Sequence, residues 1–276
     1  MGRAFLLIAG FMFVEIAGGL LANSLTLLAD AGHMFLDATA LGLSWYALRL
    51  SRRGHDHSLS YGYHRYQVLA SFLNGLTLLL MVGWILIEAW ARLRTPEPML
   101  ALPALAVASA GFAVNIVAFR WLHGAEDNAT VRSAALHVLG DLLGSAAAIL
   151  AATTVYFTGW TYADPLLALV IAVILGRGAW QVLKQAAHIL LEGVPEGVDL
   201  DEIRQTLAAR VPGVQEIHHV HAWALTAEKP LLTLHATVTD DIDVSGVVAR
   251  IKQVLEHDFG IDHSTIQVER GPCPDG

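Results

Sequence analysis

The chain has 276 residues, of which 55% are hydrophobic and only 15% are charged. Soluble domains usually have about 25% charged residues, so this composition predicts a membrane protein. The net charge of −8, without a strongly basic patch, excludes a typical nucleic-acid-binding protein. The single cysteine, Cys273, cannot form a disulfide within the chain and gives no thiolate cluster.

Six apolar stretches predict membrane-spanning helices, because a helix needs about 20 apolar residues to cross a bilayer. Further apolar segments follow the first one directly, so we interpret it as a span and not as a signal peptide. The predicted spans are residues 4–22, 25–49, 66–91, 101–122, 130–157 and 163–184.

The positively charged residues of the loops predict the orientation. If the six spans alternate, most Lys and Arg residues of the short loops lie on one side, whereas Arg92 and Arg94 lie on the other. Cytoplasmic loops carry an excess of Lys and Arg, so both termini are predicted to be cytoplasmic.

The composition changes to that of a small soluble domain after the segment "HILLEGVPEGVD". Helical periodicity predicts helices in "DLDEIRQTLAARV" and "VSGVVARIKQVLEHDF", and partial alternation predicts strands in "VQEIHHVHAWAL", "LLTLHATVTD" and "STIQVER". The order αββαβ predicts a compact α+β domain. We therefore predict a transmembrane domain at residues 1–187 and a cytoplasmic domain at residues 188–276.

Two predicted spans carry a His-x-x-x-Asp pair, His33 with Asp37 and His137 with Asp141. This spacing stacks both side chains of a pair on one helix face. If the two helices face each other, two imidazoles and two carboxylates converge, a set suited to tetrahedral Zn²⁺. Calcium and magnesium prefer oxygen ligands, whereas copper, nickel, cobalt and iron also accept imidazole, so the metal stays open.

The alternative is a buried hydrogen-bond network between helices. A charged side chain at mid-bilayer costs at least roughly 2.5–3.5 kcal/mol on insertion scales. Four such costs in two identical pairs favour a metal site over a purely structural network.

Three further acidic residues lie in or beside predicted spans. Asp30 lies one turn from His33, where it either orients that imidazole or lies on the ion pathway. Glu15 is a second candidate for the pathway. Asp164 precedes Pro165, and we interpret it as a cap of the sixth helix, with a metal role as the alternative.

The paired motifs on the second and fifth spans, followed by a small domain, resemble the cation diffusion facilitators, in particular their bacterial zinc-exporting branch. The segments that also resemble this family are "YGYHRYQVLASFLNG", "YADPLLALVIAVI", "ILLEGVP", and "HHVHAWAL" with "STIQVE". The resemblance implies a homodimer in a bacterial inner membrane that exports cytosolic Zn²⁺ in exchange for protons by alternating access. It also implies a metallochaperone-like cytoplasmic domain that binds metal and strengthens the dimer.

The resemblance also implies ligands. The implied transport site comprises His33, Asp37, His137 and Asp141. The implied cytoplasmic ligands are His218, His235, Glu269 and Glu202. The implied ligands of the loop between the second and third spans are His55, Asp56, His57 and His64, whose spacing does not match the family cleanly. Gln267 replaces a His that some members have, which leaves the number of cytoplasmic metals open.

Regular strand alternation places His218 with Val220 and Ala222 on one face, and His219 and His221 on the other. A solvated sheet face is the alternative to a metal site here.

Two other functions remain as alternatives for the whole protein. One is an exporter with another or broader metal preference, and the other is a non-transporting membrane metal receptor. A metalloprotease is disfavoured, because the His-Glu-x-x-His pair is missing from the sequence.

Overall fold

The computed structural model describes residues 2–51, 56–123, 129–271 and 273. Within these residues the chain forms eight helices and three strands. The helices are α1 (Gly2–Ala22), α2 (Leu25–Ser51), α3 (Arg65–Arg94), α4 (Ala101–His123), α5 (Ala129–Thr158), α6 (Ala163–Leu190), α7 (Leu200–Arg210) and α8 (Val244–Phe259). The strands are β1 (Val214–Ala224), β2 (Pro230–Val238) and β3 (His263–Glu269).

The chain divides into two compact units that alternate along the sequence. The first comprises Met1–Trp45 and Ser71–Leu183, and the second comprises Tyr46–Ala70 and Lys184–Gly276. The second unit therefore includes the connection between α2 and α3 as well as the C-terminal elements. The predicted domain boundary after residue 187 stays a prediction.

Each predicted span lies within one of the helices α1 to α6. Among the described residues, four helical segments are long and apolar enough to cross a membrane: Arg65–Arg94, Ala101–Arg120, Asp141–Thr158 and Ala163–Leu190. In α1, Leu6–Ala22 forms a shorter apolar stretch. The first unit is therefore a helical membrane domain, and the count of six spans stays a prediction.

Small side chains bring the membrane helices together. One buried core joins parts of α1, α2, α4 and α5 and includes Ala22, Leu27, Ala104, Ala108, Ala148 and Ala152. Another joins α2, α3 and α6 and includes Leu25, Ala29, Val82, Ile85, Ala168 and Ala172. Alanine at these contacts lets helix backbones approach closely, as is common in membranes. Helix α2 belongs to both cores, so its position is fixed from two sides.

Asp164 is a helix cap, but of α2 and not of its own helix. Helix α6 begins at Ala163, so Asp164 lies in its first turn. Its buried carboxylate accepts hydrogen bonds from the backbone N–H groups of Leu25, at 2.7 Å, and Thr26, at 3.1 Å. The hydroxyl of Ser24 donates a third, at 2.8 Å. The first N–H groups of α2 lack partners in their own helix and attract a negative charge, which explains the difference from the prediction.

The C-terminal elements form a three-stranded sheet with two helices. The strand order is β1-β2-β3, with β1 antiparallel and β3 parallel to β2. Buried residues of both helices and of β1 and β2 form one core, which includes Ile203, Leu207, Leu234, Ile251 and Leu255. Partly buried residues of β3 pack against it. Asp199 caps α7, Asp243 caps α8, and Gly260 ends α8 in the left-handed conformation that favours glycine.

A β-bulge interrupts β1 at its histidines. His218 pairs with His235, but the next pair is His221 with Thr233, so β1 has one residue more than β2 at this point. His219 adopts a positive φ of 46° there. A bulge re-aims side chains, and Val220 lies in the core with Ala222 whereas His218 does not. The prediction that His218 shares a face with Val220 is therefore wrong.

Candidate metal sites

The two His-x-x-x-Asp pairs lie within helices α2 and α5. Asp141 is buried and His33 is half-buried. The side chains of Asp37 and His137 lie outside the described residues, so the convergence of four ligands stays a prediction. Both pairs have the predicted i, i+4 spacing on a continuous helix, which places the two members of each pair on one face.

Asp30 links α2 to α5 beside these pairs. Its side chain is buried and accepts a hydrogen bond from the hydroxyl of Ser145, at 3.0 Å. Asn115 of α4 donates to the same hydroxyl, at 3.3 Å. A Cβ atom at Gly144 would lie 2.2 Å from Oδ1 of Asp30, so only glycine allows this approach. Asp30 therefore fixes the register between the two helices, and its role in orienting His33 or on the ion pathway stays a prediction.

Glu15 of α1 is fully buried against α4. A Cβ atom at Gly111 would lie 2.2 Å from its Oε1 atom, so Gly111 makes room for the carboxyl group. Neither carboxyl oxygen has a hydrogen-bond partner in the part of the chain that the structure describes. An intramembrane acid of this kind is by default a candidate for a functional role.

A second candidate site lies in the C-terminal domain. His218, His235, Glu269 and Cys273 each offer one ligand atom, and these atoms lie within 4.8 Å of one another. Nε2 of His218 is 3.1 Å from Oε2 of Glu269, and Nδ1 of His235 is 3.0 Å from Oε1 of the same carboxylate. The sulfur of Cys273 is 3.6 Å from Nδ1 of His235.

The sheet register assembles this cluster. His218 and His235 are cross-strand partners on β1 and β2, and Glu269 is the partner of Thr237 on β3. On β3 the partner of His235 is Gln267, so Glu269 lies two residues further along that strand. Three neighbouring strands thus each supply one side chain to the cluster.

The charge of Glu269 is favoured although its side chain is buried. Burial is the largest single cause and acts to raise its pKa, but the other causes together lower the pKa below its ordinary value, beginning with hydrogen bonds from Gln267 and Cys273. The neighbouring rings of His235 and His218 also contribute to this lowering. A carboxylate that stays ionised in this position is suited to a cation.

The residues of the cluster fit a metal ion. Both ring nitrogens of His218 and Oε2 of Glu269 are buried and have no hydrogen-bond partner among the described residues. Buried polar atoms without partners are costly and call for a ligand. Imidazole, carboxylate and sulfur together are typical of zinc and other transition metals, not of calcium or magnesium.

Two predictions about the cytoplasmic ligands turn out differently. Glu202 is exposed in the first turn of α7, where its backbone N–H donates to the cap residue Asp199, and it does not join the cluster among the described residues. Cys273, which sequence reasoning set aside, does join it. Its position four residues after Glu269 was the signal that could have identified it.

The described candidate ligands of the loop before α3 either form hydrogen bonds with other residues or lie exposed. The carboxylate of Asp56 accepts hydrogen bonds from Ser58, Leu59 and Tyr63. His57 is exposed, and His55 lies outside the described residues. Burial, together with nearby Lys229, lowers the pKa of His64, and the Nζ atom of that lysine is 3.2 Å from Nε2 of His64. Within the described part of this loop, these side chains join no cluster of metal ligands.

Comparison with known families covers nearly the whole chain. Residues 2–191 match the cation efflux transmembrane domain, and residues 195–271 match the cytoplasmic domain of cation efflux proteins. The chain therefore belongs to the cation efflux family, the cation diffusion facilitators, and is a divalent metal cation efflux transporter.

Named relatives agree over nearly the full length. The zinc transporter ZitB of Pectobacterium atrosepticum is 45% identical over 99% of this chain and 85% of its own length. The cadmium, cobalt and zinc/H(+)-K(+) antiporter of Bacillus subtilis is 38% identical over 96% of this chain and 87% of its own. The solved metal-bound C-terminal domain of CzcD from Cupriavidus metallidurans is 40% identical, covers 26% of this chain and 99% of its own, and has a TM-score of 0.25.

Proposed function

We propose that this transporter exports Zn²⁺ from the bacterial cytoplasm in exchange for protons by alternating access. The proposed transport site comprises His33, Asp37, His137 and Asp141. The protein then lies in the inner membrane with both termini in the cytoplasm, as the distribution of positive charge predicts. The zinc preference is supported by the two transporters named above as relatives, since both names include zinc.

The observation that carries the transport site is the hydrogen bond between Asp30 and Ser145. Leu27 near the start of α2 shares a core with Val155 near the end of α5, whereas Asp30, later in α2, meets Ser145, earlier in α5, so the two helices run antiparallel. From the Asp30–Ser145 contact, His33 and Asp141 lie about 4.5 and about 6 Å along their helices in the same direction, at 1.5 Å per residue.

The remaining two predicted ligands follow the same register. Asp37 and His137 lie about 10.5 and about 12 Å from that contact along their helices. We infer from this register that the two pairs are level with each other on the facing sides of α2 and α5, since residues three and four apart share a helix face. This arrangement supports one site built from both helices.

Competition between protons and metal explains the exchange. A ligating imidazole must be neutral and a ligating carboxylate ionised, so Zn²⁺ binding displaces protons. Histidine is suited to this role because its ordinary pKa of about 6.5 is close to physiological pH. A site near the midplane that opens alternately to each side completes the cycle, with Asp30 either orienting His33 or lying on the pathway and Glu15 as a second candidate for the pathway.

The cytoplasmic cluster supports a regulatory role. We propose that His218, His235 and Glu269 bind cytosolic Zn²⁺ and thereby strengthen a homodimer. The supporting observations are the buried ring nitrogens of His218 and Oε2 of Glu269, which have no hydrogen-bond partner among the described residues, and the match to the family's cytoplasmic domain. The role is allosteric if metal in this domain changes the affinity of the transport site.

Zinc flux into proteoliposomes with an imposed pH gradient tests the transport site. Asp37→Ala and Asp141→Ala should each abolish flux although the proteins fold, whereas the control Asp240→Ala, at an exposed position, should retain it. Flux that survives either substitution in the helices would make the pairs structural.

The same vesicles test metal preference. An imidazole at residue 33 narrows the preference towards zinc, so His33→Asp should admit Cd²⁺. A His33→Asp protein that still transports zinc alone would contradict this explanation. The broader preference named for the relative from Bacillus subtilis makes cadmium and cobalt the metals to compare.

A further inference from the structure

Cys273 lies against the cytoplasmic cluster although it comes after the last strand. Its sulfur is 3.6 Å from Nδ1 of His235, and its thiol also hydrogen-bonds to Glu269. All four ligand atoms of the cluster lie within 4.8 Å of one another. The thiol is thus close enough to share an ion with the three strand residues.

A second observation at this place points to a ligand. The side chain of Glu269 is only 6% exposed, and its Oε2 atom has no hydrogen-bond partner in the described chain. Nε2 of His218 is 3.1 Å from that oxygen, but the geometry is not that of a hydrogen bond. A carboxylate oxygen and an imidazole nitrogen that approach without bonding are arranged to bind a third atom between them.

Gln267 decides how many ions the cluster suits. Its side-chain amide donates a hydrogen bond to Oε1 of Glu269, at 2.9 Å, so it orients the carboxylate. An amide N–H group donates hydrogen bonds and does not ligate metals. The three strands therefore offer three ligand atoms, and the sulfur of Cys273 is the fourth ligand atom within 4.8 Å of the others.

We propose that Cys273 supplies a thiolate that closes a single four-ligand site with His218, His235 and Glu269. The inference rests on the proposed cytoplasmic site and names its ligand set and its class of metal. Two imidazoles, a carboxylate and a thiolate select a thiophilic divalent cation of the zinc, cadmium and cobalt group over magnesium and calcium. The ion then ties the chain beyond β3 to all three strands.

Cobalt absorption of the full-length protein in detergent, kept reduced, tests the ligand. Thiolate bound to Co²⁺ gives a near-ultraviolet charge-transfer band, and Cys273 is the only cysteine in the sequence, so the band can arise only from this residue. We expect the band in the wild type and in His221→Ala, a control that removes an exposed histidine of the same strand. We expect no band in Cys273→Ser. We also expect the Co²⁺ affinity of this site to fall at least about tenfold, because even residues that only hydrogen-bond to a ligand cost that much affinity when they are replaced.

The outcomes separate this inference from the proposed function. Wild-type protein that binds Co²⁺ without the band, or Cys273→Ser with unchanged affinity, overturns the thiolate ligand. Equilibrium dialysis shows whether the site exists, because His235→Ala should bind one metal fewer per chain than the wild type. Zinc flux, measured on the same preparations, tests the transport site independently, since that site contains no sulfur.

Discussion

The two candidate metal sites use opposite ways of bringing ligands together. In the membrane domain each His-x-x-x-Asp pair lies on one helix, and the helical repeat alone places its members on one face. In the cytoplasmic domain His218, His235 and Glu269 come from three strands, and Cys273 follows the last of them. A helix encodes its pairs locally, whereas a sheet site depends on register, bulges and chain direction.

The membrane site nevertheless depends on contacts far apart in sequence. Asp164 holds the start of α2, and Asp30 and Ser145 set its register against α5. The helical repeat determines which residues share a face of the helix. The long-range contacts of Asp164 and Asp30 determine which neighbouring helix that face contacts.

The largest expected effect is on this anchoring of α2. Asp164→Ala leaves two backbone N–H groups and the Ser24 hydroxyl buried without their acceptor. We expect a loss of about 3 kcal/mol in the free energy of unfolding, because each such donor costs about 1–3 kcal/mol. Thermal unfolding in detergent measures it. Asp164→Asn keeps one acceptor oxygen and should lose less stability. Equal stability of the wild type, Asp164→Ala and Asp164→Asn would show that packing alone positions α2.

The next effect tests how closely α2 approaches α5. Gly144→Ala places a methyl group 2.2 Å from Oδ1 of Asp30, so the helices must separate. We expect a loss of about 1–3 kcal/mol in the free energy of unfolding, as for overpacked cores, together with reduced zinc flux. Gly178→Ala is the matched control: its Cβ meets nothing within 4 Å, and alanine stabilises a helix by up to about 1 kcal/mol over glycine. A Gly144→Ala protein as stable as Gly178→Ala would contradict the close approach.

A smaller effect concerns the bulge in the sheet site. His219 has a left-handed backbone conformation, and its ring stacks on the ring of His235. The ring centroids are 5.0 Å apart, and the angle between the ring planes is 20°. His219→Asn tolerates this backbone but removes the ring, and we expect Co²⁺ affinity of the cytoplasmic site to fall about tenfold. His219→Phe should restore most of it by restoring the stack. His221→Asn is the control, and a loss as large there would mean that the ring of His219 has no specific role.

The smallest effect is on the loop before α3. The hydroxyl of Tyr63 is the main cause that lowers the pKa of Asp56, followed by hydrogen bonds from Ser58 and Leu59. Because the pKa is lowered in the folded state, these bonds stabilise the loop above the ordinary aspartate pKa, and the stabilisation is lost as the pH falls through the lowered value. Tyr63→Phe should raise the pKa of Asp56 in a carboxyl NMR titration. An equal rise in Tyr61→Phe would show that the hydroxyl of Tyr63 is not the cause.

Sequence reasoning performed differently on the two kinds of site. It placed each predicted span within an observed helix, because apolar length is a local property. It also named both His218 and His235 as candidate ligands, and the sheet makes them cross-strand partners. It placed His218 on the wrong side relative to Val220, because a bulge has no reliable signature in one strand's sequence.

Long-range partners account for the remaining differences. The sequence showed that Asp164 is suited to capping, but not that the N–H groups it meets belong to α2. It showed one cysteine, but not that the chain after β3 brings it to His235.

What the sequence by itself determined are the properties that repeat along the chain: the apolar helices, the shared face of His33 and Asp37, and that of His137 and Asp141. Only the tertiary structure decided which residues from distant segments meet, such as Asp30 with Ser145 and Cys273 with Glu269. The physical reason is that helical periodicity follows from neighbouring residues, whereas contacts between helices and strands depend on the packing of the whole domain.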